Sequence, residues 1–96
     1  MKPSLALRQN ALDIRQAVSR SRAANPRVFG SVLHGQDGEG SDLDLLVDPL
    51  PGATLFDLGG LQIELEELLG VRVDLVTPGD LPMKFRDQVV AEARAI

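Results

Sequence analysis

The segment Ser41-Asp42-Leu43-Asp44-Leu45-Leu46-Val47 sets two carboxylates, one residue apart, at the head of an apolar run. Leu45-Leu46-Val47 has the composition of a buried strand, and Asp48-Pro49 and Pro51-Gly52 close it. Side chains alternate along a strand, so Asp42 and Asp44 face the same way. An acid pair at the head of a buried strand is costly, because burial disfavours the charged forms and like charges repel. A divalent cation removes both problems, and Mg²⁺ suits a pair of carboxylates completed by substrate phosphates and water. The segment therefore favours a sheet with a metal-gripping pair on one side of it over a surface strand with solvated acids or a helix cap at Ser41-Asp42.

The rest of the chain supplies partners for that strand. Pro3-Ser4 followed by Leu7, Ala11, Ile14 and Val18 reads as a helix capped by Ser4, fading at Ala23-Ala24-Asn25 and ended by Pro26. Arg27-Val28-Phe29 reads as a short strand that stops at Gly30-Ser31. Val32 to Gly40 reads as a loop with room for one helical turn. Thr54 then caps a helix whose Leu58, Leu61, Leu65 and Leu68 recur at spacings of three and four, with Gly59-Gly60 weakening it and Gly70 at its C-cap. In this helix Glu64, Glu66 and Glu67 read as the wet face. Val71 to Val76 forms the next strand, and a last helix runs from about Pro82 to Ala95, with Phe85, Val89 and Ala93 on one face.

The expected order is α-β-β-α-β-α, an α/β (α+β) fold with a mixed sheet of three strands, with room for a fourth, and helices packed against it. The second and third strands flank a helix and should be parallel through a right-handed crossover. The first and second should pair antiparallel.

Composition narrows the chemistry. Ninety-six residues suit one domain, residues 1–96. No stretch approaches the ~20 apolar residues of a membrane span, and cysteine is absent, so a soluble cytoplasmic protein without membrane contact is expected. The net charge is −4, with two lysines and three phenylalanines as the only aromatic residues. That balance disfavours a long nucleic-acid substrate, which calls for clustered basic residues and stacking platforms. A nucleotide that brings its phosphates with a metal ion remains compatible.

Three further positions complete a candidate site. Gly30-Ser31 ends a strand just before the acid pair and offers backbone N–H groups and a hydroxyl to a phosphate. Asp74 lies inside Val73-Asp74-Leu75-Val76, where an acid needs a partner: either Arg72 on the same strand face, or the Asp42/Asp44 pair. Beside that pair it would act as a general base or share a metal with Asp44. His34, the only histidine, reads more readily as a loop residue than as a ligand, and no acid is placed to make Ser31 a nucleophile through it.

These residues resemble the polymerase-β-like nucleotidyltransferase superfamily, whose pattern is Gly-Ser, a gap, Asp-x-Asp, and a third Asp on a later strand. Here it reads Phe29-Gly30-Ser31, Ser41-Asp42-Leu43-Asp44, and Val73-Asp74-Leu75-Val76, and the resemblance covers about residues 26 to 95. The short length is similar to that of the minimal nucleotidyltransferases, the family that includes MNT-type antitoxins. The resemblance implies a nucleotidyltransferase fold, Mg²⁺ (two ions) held by Asp42, Asp44 and Asp74, and ATP or another nucleoside triphosphate held at Gly30 and Ser31. It also implies a HEPN-type toxin as partner, in a homo- or hetero-oligomer. His34 stands where many relatives carry an arginine, which would weaken the hold on a triphosphate or make it pH-dependent.

Two functions compete. In the first, the chain adenylylates a hydroxyl of its partner protein and so acts as an antitoxin. In the second, it neutralises the toxin by contact alone. Transfer to a small molecule, as in aminoglycoside nucleotidyltransferases, ranks a distant third because the chain is too short to contain an acceptor pocket.

Overall fold

The computed structural model describes residues 1–96. The elements are α1 (Pro3–Ser19), β1 (Ala23–Phe29), α2 (Gly30–Leu33), β2 (Leu43–Pro49), α3 (Leu55–Leu69), β3 (Val73–Val76), a 3₁₀ turn (Pro78–Asp80), α4 (Met83–Glu92) and β4 (Arg94–Ala95). The sheet has four strands in the order β3-β2-β1-β4. β1 pairs antiparallel with β2 and β4, and β2 pairs parallel with β3, as the helix between β2 and β3 requires. No helix is long and apolar enough to cross a membrane.

β2 is central and carries the core. Leu43, Leu45 and Val47 are fully buried on one face, against Ala6, Ile14, Ala17 and Val18 of α1 and Leu61, Leu65 and Leu69 of α3. Alternation sends Asp44, Leu46 and Asp48 to the other face. Leu46 is fully buried there too, outside the main cluster, where the 3₁₀ turn comes against β2. Helices α1 and α3 thus close one side of the sheet, and the acids stand on the opposite side.

Several boundaries differ from the sequence expectation. Lys2, not Ser4, is the N-cap of α1; the Ser4 N–H instead receives Asp37, whose Oδ2 accepts it at 2.8 Å. That bond holds the Asp37 carboxyl below the usual carboxylate range. Pro26 does not end a helix but lies inside β1, where the pairing register with β2 shifts between Ala24 and Arg27. A bulge of this kind tolerates a residue without an N–H. In α3 the third core position is Leu69, while Leu68 is 39% exposed. The last helix stops at Glu92 and buries no residue, and Arg94–Ala95 turns back to pair with β1. Thr54 and Gly70 behave as expected: Thr54 forms a capping box with Asp57, and Gly70 takes a left-handed C-cap at φ 69°.

Candidate functional site

Parallel pairing sets Asp44 directly opposite Asp74, with Leu43 opposite Val73 and Leu45 opposite Leu75 in the core. The Asp44 pKa is pushed up to about 6. Burial contributes most to that shift, followed by the negative charges of Asp74 and Asp42. Asp44 is half-buried and Asp74 exposed. Asp42 lies one residue before β2 and is also exposed, with its Oδ1 3.1 Å from Nε of Arg72.

Arg72 therefore pairs with Asp42 rather than with Asp74. The register explains this: continuing Leu43–Val73 back by one residue brings Asp42 level with Arg72. The Leu43 N–H donates to the Arg72 carbonyl at 2.8 Å and fixes that alignment.

Gly30 follows Phe29, which sits opposite Asp44 in the antiparallel ladder. Its φ is +73°, and a Cβ built there would collide with Oδ2 of Asp44. Only glycine satisfies both demands at once, the left-handed backbone and the close approach of the carboxylate. Ser31 follows in the first turn of α2, where its carbonyl accepts the Gln36 N–H at 2.9 Å. His34 caps the other end of α2. Its Nε2 lies 3.6 Å from Oε2 of Glu92, at the end of α4.

The fold thus brings Gly30, Asp44 and Asp74 together, places Asp42 at their rim, and directs His34 elsewhere. One partner set escaped sequence reasoning. Asp48 is the last member of the 44/46/48 alternation on the acids' face, its Oδ1 2.6 Å from Arg27 Nη2. Arg27 is 11% exposed, a well-shielded cation on the acids' side of the sheet. The same period-2 rule that paired Asp42 with Asp44 would have found it.

No three acidic or imidazole groups are drawn into a closed ligand set. The chemistry of the donors still fits a divalent cation such as Mg²⁺. They are hard carboxylate oxygens, Asp44 and Asp74 stand opposite each other across the two strands, and the raised pKa of Asp44 records burial and like-charge repulsion that a cation would offset. The largest cavity, about 510 Å³, is lined by Asp13, Gln16, Arg20, Glu64, Glu67 and Leu68 between α1 and α3, on the side of the sheet away from the acids. The acids instead stand on open surface, an arrangement that leaves room for a large acceptor.

The nucleotidyltransferase domain family matches residues 13–96. The chain is 42% identical over 65 residues to protein adenylyltransferase MntA of Thermococcus cleftensis, covering 68% of this chain and 66% of that protein. It is 39% identical over 66 residues to a candidate protein adenylyltransferase of Methanocaldococcus jannaschii, covering 69% and 71%. Among solved structures, a protein described as a candidate minimal nucleotidyltransferase superposes with a TM-score of 0.83 at 43% identity, over 97% of this chain and 93% of that one. The fold also matches an MntA–HepT toxin–antitoxin structure, with a TM-score of 0.68 at 20% identity over 92% and 69% of the two chains. A toxin–antitoxin crystal structure with AMP-PNP matches it likewise, with a TM-score of 0.75 at 23% identity over 90% and 71%. With its acids and Gly-Ser turn set on this fold, the chain belongs to the nucleotidyltransferase domain family and is one of its minimal transferases.

Proposed function

We propose that this protein is a Mg²⁺-dependent adenylyltransferase that modifies a hydroxyl of a HEPN-type toxin in the cytoplasm, and that residues 1–96 form its one domain. The observation that carries this reading is the pairing of Asp44 with Asp74 across two parallel strands, with Gly30 backed against the Asp44 carboxylate. The kinship to protein adenylyltransferases and the fold shared with MntA–HepT assemblies support the choice of donor and partner.

In this reading Asp42, Asp44 and Asp74 hold the metal ions, and Gly30 and Ser31 hold the triphosphate. Divalent ions held by these carboxylates would supply the charge that neutralises the triphosphate and the departing pyrophosphate. Asp74, exposed beside Asp44, accepts the proton of the acceptor hydroxyl. The acceptor oxygen forms a bond to the α-phosphorus as the bond to the bridging oxygen breaks, and pyrophosphate leaves. His34 turns toward Glu92 and contributes little to phosphate binding.

A second reading, neutralisation by contact, draws on the exposed Leu55, Phe56 and Met83, which are 85%, 92% and 83% accessible. One experiment separates the two. The protein, ATP labelled on its α-phosphate, Mg²⁺ and the toxin are incubated together, with Asp42→Asn/Asp44→Asn as control. Label should reach the toxin only with the unaltered protein, and equal labelling by both would overturn the catalytic reading. Full protection of cells by the control, without labelling, would favour contact.

A further inference from the structure

β3 is an edge strand. Alternate backbone N–H groups on such a strand point away from the sheet and ordinarily meet water. Here α3 captures them. The Val73 N–H donates to Oε2 of Glu66 at 3.0 Å, and the Leu75 N–H donates to Oε1 of Gln62 at 3.2 Å. Four residues of helix advance about 6 Å. Two residues of strand advance about 6.6 Å. The acceptors at positions 62 and 66 therefore meet the donors at 75 and 73 one for one, as α3 runs back along the sheet. Glu66 is consequently no part of the wet face, whereas its neighbour Glu64 turns outward to Arg20 at 2.7 Å.

Asp74 lies between the two captured N–H groups, and its own position in the ladder is opposite Asp44. A four-residue strand held only by one neighbour can twist or slide; this one is gripped on both edges at the residues flanking the acid. We infer that Gln62 and Glu66 are positioning residues, a two-point clamp from α3 that sets Asp74 against Asp44. Neither side chain touches the reacting groups. The clamp acts through the β3 backbone, and the inference rests on the proposed transferase activity.

The test replaces each acceptor by a side chain of similar length without a strong acceptor, Gln62→Met and Glu66→Met, singly and together. Gln62→Glu and Glu66→Gln serve as variants that keep an acceptor. Amide exchange at Val73 and Leu75 should accelerate at least ~10-fold in the Met variants. Because a misplacement of about 1 Å can cost ~100-fold in rate, kcat should fall ~10-fold or more, by a larger factor than KM for MgATP rises. The Glu66→Gln and Gln62→Glu variants should recover most of the kcat. Unchanged exchange, or faster exchange with unchanged kcat, overturns the inference, as does a kcat loss that the acceptor-keeping variants share. If the unaltered protein transfers no label at all, the proposed function fails on its own. A crystal structure of the Met variants then decides the clamp: displacement of Asp74 relative to Asp44 supports it, and an unmoved pair overturns it.

Discussion

At Gly30 a single missing methyl group decides whether Asp44 can occupy its place, because a Cβ there would collide with the carboxylate. Gly30→Ala adds a left-handed alanine, costing about 1–2 kcal/mol, to that collision. We expect a lower melting temperature and loss of nucleotidyl transfer, the first checked by calorimetry and the second by labelling. Asp44 itself is a site where function opposes stability. Its folded pKa, about 6, lies above the ordinary 3.8, so the folded chain binds more protons than the unfolded one between those values. Stability therefore falls as pH rises through that window, and the loss is complete above pH 6. Asp44→Asn should melt higher than the unaltered protein at pH 7.5 without metal, with the difference vanishing near pH 3.5. Added Mg²⁺ should raise the melting temperature of the unaltered protein at pH 7.5, do so far less below pH 5.5, and leave Asp44→Asn nearly unmoved. Arg72, bound to Asp42 on the exposed rim, competes with a cation for that carboxylate. Arg72→Ala should tighten Mg²⁺ binding by a few-fold, within the small worth of an exposed ion pair, as measured by titration calorimetry.

Among the elements, α3 does the most positioning, since it buries Leu61, Leu65 and Leu69, shields the β3 edge and begins with the Thr54–Asp57 capping box. Gly59 and Gly60 sit inside this helix with no atom within 4 Å of an added Cβ, and neither has a positive φ. Gly59→Ala and Gly60→Ala should each stabilise by roughly 0.5–1 kcal/mol, the helix propensity difference. In a chain of this size that amounts to a few degrees in melting temperature per substitution. The elements also show what the sequence made legible. Local signals found the central strand, the α3 caps, the parallel and antiparallel pairings and the acid that returns at position 74. They failed where long-range contacts decide. β4 is two residues long, held by pairing to β1, and no periodicity marks so short a strand. The Ser4 N–H in the first turn of α1 is served by Asp37, 33 residues away, and those of Leu5 and Ala6 by the Lys2 carbonyl, so Ser4 had no capping work to do. Leu68 and Leu69 exchanged roles because a stripe at spacings of three and four leaves its last member undecided until the helix docks. In the candidate site, Asp74 was legible as an acid in need of a partner, but the choice between Arg72 and the acid pair waited on the register of β3 against β2. Glu66 looked solvated because its partner is a backbone N–H on another element.

The whole molecule is a sheet covered by α1 and α3 on one side, with Asp44, Asp74 and Asp48 on the other, in a chain of net charge −4. Arg27, a well-shielded cation on the acids' side, is already spent on Asp48 at 2.6 Å, and Arg72 is bound to Asp42. A free triphosphate approaching this surface therefore meets the carboxylates of Asp42, Asp44 and Asp74, and like-signed fields of this kind suppress association. Nucleotide binding must then depend on the cation to a degree that a basic phosphate site would not show. A ligand that binds only the folded state stabilises it by about 2.7 kcal/mol at 100 times its dissociation constant. At about 4–8 °C per kcal/mol for a domain of this size, saturating MgATP should raise the melting temperature by roughly 10 °C or more. ATP with a chelator should leave the melting temperature unchanged or lower it. The shift by MgATP should disappear in Asp42→Asn/Asp44→Asn, whereas a comparable shift by ATP alone would show that the triphosphate is held by groups other than these acids and their metal.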